Sequence, residues 1–166
     1  MSNNRQLAAD LGAALLSRGE SVATAESCTG GLIAAAITDV PGSSAWFSHG
    51  VVSYGNQAKQ QLLGVQASSL MNHGAVSELV VHEMAAGGQA LADADWAVAV
   101  SGIAGPDGGT PEKPVGLVWL AIAHPGGQTE AWSCRFAGDR QQVREQAAAE
   151  ALSRLIERIQ GHVRAA

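Results

Sequence analysis

The chain has 166 residues, 46% hydrophobic, 15% charged and 4% aromatic, with a formal net charge of −5. That length and apolar content suit one domain over residues 1–166 whose core needs no disulfide or metal, and two cysteines, Cys28 and Cys134, make neither a disulfide scaffold nor a zinc spacing. No apolar run reaches the roughly 18 residues of a membrane span, Met1 to Gln6 lack the order of a signal peptide, and the acidic balance argues against non-specific nucleic-acid binding, so a cytoplasmic protein is expected.

In chain order, Leu7, Leu11 and Leu15 share one face of a helix over about 4–18 that Gly19 stops. A short strand follows at 21–26, then a helix at 32–37 ending before Pro41, and a loosely alternating strand from Trp46 to Tyr54. Asn56 is placed to cap a short helix through Leu63 that Gly64 ends, and Ser77 to cap one carrying Val80, Val81, Met84 and Ala85. Trp96–Val100 reads as a buried strand leading into a long glycine- and proline-rich loop, Gly102 to Pro114. Val115–Ala123 and Thr129–Phe136 read as an antiparallel pair, and a last helix starts at Asp139 with Val143, Ala147, Leu152, Leu155, Ile156 and Ile159 facing inward. This alternation predicts a three-layer α/β sandwich with a mixed sheet; the strand order is not readable.

Four segments carry polar residues that the core does not need. In Thr24–Gly31, a turn joins strand to helix, and Ser27 stands where helix-start amides would stabilise an anion. Gly30 and Gly31 allow a close backbone approach, while a plain cap by Ser27 or Thr29 reads the same residues equally well. Cys28 is a rival nucleophile, because a helix start lowers a thiol pKa. In Ser53–Lys59, a lysine with a depressed pKa would serve as the base for a serine, with Tyr54 relaying a proton or holding the amine. An ordinary solvated lysine beside a core-edge tyrosine is the alternative.

The third segment, Ser101–Gly109, closes a buried strand with a loop where α/β folds place ligands, but its glycines are not a dinucleotide fingerprint. In the fourth, Asp139 and Gln142 form a capping pair, and Arg140 and Arg144 share one helix face at the end unfavourable to cations. Either an anionic ligand or neighbouring carboxylates answer that charge. The five histidines are scattered, and Cys134 alternates as a small core residue. Codon bias accounts for much of the scarcity of tyrosine (Tyr54 alone) and lysine (Lys59 and Lys113), though not for where these residues stand.

Taken in order, Ala25–Gly31 (AESCTGG), Gly42–Phe47 (GSSAWF), Tyr54–Lys59 (YGNQAK), Gly74–Glu78 (GAVSE), Ser101–Gly109 (SGIAGPDGG), Lys113–Gly116 (KPVG) and Phe136–Arg140 (FAGDR) resemble the C-terminal domain of the competence-damage-inducible CinA family, in its stand-alone form. The likeness runs from about residue 5 to 160. It implies a nicotinamide-nucleotide amidohydrolase that turns nicotinamide mononucleotide into nicotinic acid mononucleotide and ammonia. The family's serine/lysine arrangement falls on Ser27 and Lys59 with Tyr54 beside them, and helix-start amides after residue 28 would hold the oxyanion. Substrate contacts are then expected from Cys28, Thr29, Gly30, Gly31, Ser101, Gly102 and Gly105, with Arg140 and Arg144 taking the phosphate. The family often has threonine where Ser101 stands. No metal or organic cofactor is implied, and a homodimer is. A non-catalytic pyridine-nucleotide sensor is the alternative reading.

Overall fold

Alternating alanine and valine decides how the sheet is built. In a strand, successive side chains point to opposite faces, so Trp96-Ala-Val-Ala-Val100 sends its large residues one way and its alanines the other. The computed structural model, which describes residues 3–164, contains both consequences. The signal-peptide reading begins on Met1 and Ser2, which lie outside the described residues.

The elements are α1 (Asn4–Arg18), β1 (Val22–Glu26), α2 (Leu32–Thr38), β2 (Phe47–Val52), α3 (Asn56–Leu63), α4 (Ala67–His73), α5 (Glu78–Ala92), β3 (Trp96–Gly102), β4 (Leu117–Ala123), β5 (Thr129–Arg135) and α6 (Arg140–Gly161). The strands form one mixed sheet in the order β2-β1-β3-β4-β5. β1 runs parallel to both β2 and β3, and the β3–β4 and β4–β5 pairs are antiparallel. On one face Trp96, Val98, Val100, Val118, Leu120 and Ile122 bury against α1, α2 and α6. On the other, Ala23, Ala25, Ala97, Ala99, Ala121 and Ala123 form a shallow floor on which α5 lies, with α3 and α4 packed on α5. This is the expected three-layer sandwich.

Several local expectations need correction. α4 is unforeseen, because Ala67–His73 carries no apolar periodicity and only Ser69 is buried. Asn56 does not cap α3: Gly55 holds the cap position and no side chain accepts there. Ser77 and Asp139 do cap their helices, the latter in a full capping box with Gln142. His124 and His162, far apart in sequence, converge on Trp96 with ring centroids 5.0 and 5.2 Å from it. Cys134 is half-buried against the larger core cluster.

Strand order places the site. β1 lies between β2 and β3, so the carboxyl ends of three parallel strands lie side by side, with Glu26 opposite both Val52 and Val100. The ladder continues past the strands, with the Ser53 amide donating to the Glu26 carbonyl (2.8 Å) and the Ser27 amide to that of Val100 (2.9 Å). A crevice outside such strand ends is where open α/β sheets bind ligands.

The close seat of α5 rests on its glycines. A Cβ on Gly87 would stand 1.8 Å from the Leu63 carbonyl oxygen at the end of α3. Gly87→Ala therefore has to push α3 off α5, and a destabilisation of at least about 1–3 kcal/mol is expected, read as a lower thermal midpoint.

Candidate active site

Glu26 organises the turn after β1. Its carboxylate is buried at 1% exposure and accepts from the Thr29 hydroxyl (2.6 Å) and from the amides of Ile33 (3.0 Å) and Ala34 (3.0 Å). α2 starts only at Leu32, with Gly31 as its N-cap and no side-chain cap from Ser27 or Thr29. The helix expected at 32–37 does begin at Leu32, so the amides just after residue 28, expected as helix-start amides, belong to the turn before it. An acidic side chain already occupies the positive end of α2, where carboxylates are most favourable. Sequence reading missed Glu26, although a carboxylate at the end of an apolar strand was a signal that it has a partner.

Ser27, 7% exposed, lies in the turn itself, facing α3. Lys59, in the first turn of α3, is 1% exposed, and its Nζ lies 2.8 Å from the Ser53 carbonyl, 2.9 Å from that of Tyr54 and 3.0 Å from Ser27 Oγ. None of these partners is a carboxylate. Burial pushes the Lys59 pKa below its usual 10.5, because the charged amine loses its hydration without gaining an anion. The Ser27 hydroxyl also lies 3.5 Å from the Tyr54 carbonyl, and a neutral amine that spent its two N–H bonds on the carbonyls would turn its lone pair toward Ser27 Oγ. An amine of lowered pKa within hydrogen-bond reach of a hydroxyl is an arrangement that can activate a serine.

Tyr54 takes part through its backbone. Its carbonyl receives Lys59 Nζ, while the ring is 62% exposed and the phenol oxygen accepts from Arg140 Nη2 at 3.2 Å. Of the two expected roles, holding the amine therefore fits the geometry, and it is the main chain that holds it. Cys28 is corrected in the other direction. Burial pushes its thiol pKa up to about 11, and the Glu26 charge adds to the rise, so the side chain is a protonated thiol at neutral pH.

A cleft of about 340 Å³ opens over the pair, near the lower end of volumes that hold small molecules. Cys28, Ser101, Gly102, Gly105 and Arg140 line it. Thr29, Gly30, Gly31 and Arg144 are not among its lining residues. Arg144 Nε donates to the Cys28 carbonyl (3.0 Å) and Nη2 to that of Thr29 (3.3 Å), and a Cβ on Gly30 (φ +59°) would lie 3.0 Å from Nη2. The close approach that Gly30 permits is thus to an arginine. Arg140 Nη1 donates to the Gly105 carbonyl at 2.8 Å. Both cations at the start of α6 are answered by carbonyl oxygens. Ala75 and Val76 also line the cleft and were marked only by their place in a family motif; Asn56, read as a helix cap, lines it too, as does Asp107 of the loop after Ser101.

The family model for the CinA C-terminal domain matches residues 4–159. The chain belongs to that family. It is 57% identical over 150 residues to "Nicotinamide-nucleotide amidohydrolase PncC" of Shigella flexneri, covering 90% of this chain and 91% of that one. The protein of the same name in Escherichia coli K12 is 56% identical over 150 residues, with the same coverage. Among solved structures, the competence damage-inducible protein A (ComA) of Klebsiella pneumoniae superposes with a TM-score of 0.93 at 44% identity, covering 97% of this chain and 99% of that one.

Two outcomes follow from this geometry. Glu26→Gln turns one acceptor oxygen into a donor facing donors, and a loss of about 1–3 kcal/mol is expected in thermal or denaturant unfolding. Cys28 should react with iodoacetamide at pH 8 about two orders of magnitude more slowly than a free cysteine, measured by mass spectrometry of the labelled protein.

Proposed function

We propose that the chain hydrolyses the carboxamide of nicotinamide mononucleotide to nicotinic acid mononucleotide and ammonia, with Ser27 as nucleophile and Lys59 as base. The observation that carries this reading is the buried Lys59 amine 3.0 Å from Ser27 Oγ, held by two carbonyls and no carboxylate. The names and high identity of the relatives support the substrate.

In this reading the neutral Lys59 takes the Ser27 proton as Oγ attacks the amide carbon. The resulting ammonium gives that proton to the leaving nitrogen, and ammonia departs. Water, deprotonated by the same amine, then splits the acyl-enzyme and returns Ser27 to its hydroxyl form. The amides of Ile33 and Ala34 are engaged by Glu26, so the oxyanion falls instead to the amides of the turn beside the nucleophile, those of Cys28 and Thr29. Ser101 and Gly102 flank the reacting group. Arg140, which lines the cleft, is assigned the phosphate, and Arg144, bound to the carbonyls of the turn, the positioning of the nucleophile. The implied homodimer and cytoplasmic location belong to the same proposal; light scattering tests the first. Among the described residues no helix is long and apolar enough to cross a membrane.

Ammonia release from nicotinamide mononucleotide is the direct assay. Ser27→Ala is expected to lower kcat by about a thousandfold or more, and Cys28→Ala to leave it within a few-fold; the reverse pattern would mean a thiol nucleophile. Lys59→Arg should be as inactive as Ser27→Ala, since a guanidinium does not give up its proton near neutrality. Because the Lys59 pKa is lowered, the active neutral form persists down to a pH below 10.5. The kcat/KM profile should fall as the pH drops through that lowered value. Nucleotide binding without ammonia release by the wild-type protein would select the sensor reading.

A further inference from the structure

The outer side of the cleft is built by two segments that are remote in sequence. One is the β3–β4 loop, residues 103–116, which contributes Ile103, Ala104, Gly105, Asp107, Gly108 and Gly109. The other is the short connection between α4 and α5, which contributes Ala75 and Val76. Neither side has regular backbone pairing to hold it at a fixed distance from the other. The base of the loop is closed by backbone bonds, from Ile103 to the Leu117 carbonyl (2.9 Å) and from Gly116 to the Ile103 carbonyl (2.7 Å). Its far end is a tight turn, in which the Thr110 amide donates to the Lys113 carbonyl (2.8 Å) and the Lys113 amide to Thr110 Oγ1 (3.0 Å).

Among the described residues, two side-chain hydrogen bonds tie this loop to the rest of the molecule, and both come from cations. Arg140 reaches in to Gly105, and Lys113 reaches out, its Nζ donating to the carbonyl of His73 at the end of α4. Gly74 makes room for that amine: its φ is +76°, and a Cβ there would stand 3.0 Å from Lys113 Nζ. A cation at a helix C-terminus is favoured by the exposed carbonyls. The connection is pinned on its other side by Ser77 Oγ, which donates to the Gly74 carbonyl at 2.8 Å. Lys113 therefore joins the turn of the loop to the segment carrying Ala75 and Val76, and it touches neither Ser27 nor Lys59.

We infer that Lys113 is a positioning residue that clamps the β3–β4 loop to the α4–α5 connection and so fixes the width of the substrate cleft. The clamp acts on binding, not on the chemical step, because Lys59 and Ser27 are held by β1, β2 and α3 without it. The kinetic consequence rests on the proposed amidohydrolase reading, whereas the clamp itself does not.

Lys113→Met keeps the aliphatic stem and removes the donor. In the full-length protein it should raise KM for nicotinamide mononucleotide about tenfold, the scale of one charge-assisted hydrogen bond, with kcat within twofold. Hydrogen exchange without substrate should quicken at amides of both 104–113 and 73–76, and Lys113→Arg, which retains a cationic donor, should restore most of the wild-type KM. Unchanged KM and exchange in Lys113→Met would overturn the proposal, as would a fall in kcat at constant KM. If wild-type protein releases no ammonia from the nucleotide, the functional reading fails, and the exchange comparison still decides the clamp.

Discussion

A lysine amine buried without a counter-ion is the constraint around which this structure is arranged. Lys59 is among the largest fully buried side chains of the protein, yet its partners are two carbonyls and a hydroxyl. A charged amine in such a place is poorly solvated, so the surroundings favour the neutral form that can accept a proton. The two carbonyls belong to consecutive residues, Ser53 and Tyr54, immediately after β2. Their direction is set by the pairing that continues from the sheet, so backbone geometry, and not a flexible side chain, aims the amine at Ser27.

The same economy runs through the other charged residues nearby. Glu26 and Arg144 both serve the turn that carries Ser27, one from within through amides and a hydroxyl, the other from α6 through carbonyls. Together they satisfy polar groups that would otherwise be costly to leave unpaired beside the core. Arg140 and Lys113 serve the opposite side, holding the glycine-rich loop at two points. Among the described residues, Ser27 and Lys59 are thus left free of direct ion pairing, and the charges around them hold backbone in place.

How much of this was legible in the sequence depended on the range of the interaction. The capping box at Asp139 and the cap at Ser77 were readable because each is closed within four residues. Lys59 and Ser27 were readable as candidates, and the seven motifs placed them in one family. Which atoms meet was not readable. Tyr54 was expected to relay a proton or hold the lysine, and the atom that meets the lysine is its backbone carbonyl. Arg144 was expected beside a ligand and instead lies under Gly30, and the cap of α2 came from Glu26 six residues before the first helical residue. α4 escaped because its burial comes from packing on α5, not from a periodic apolar face of its own.

The sequence by itself determined the class of fold and the residue types available for chemistry, because alternation, caps and turn glycines are local properties of the chain. Only the tertiary structure decided that β1 lies between β2 and β3, and hence that Ser27, Ser53 and Ser101 end up at neighbouring strand ends. It also decided that the Cys28 thiol pKa is raised and the Lys59 amine pKa lowered, since each depends on how much water and which charges remain nearby. Solvation and strand order are properties of the packed whole, and no spacing along the chain encodes them.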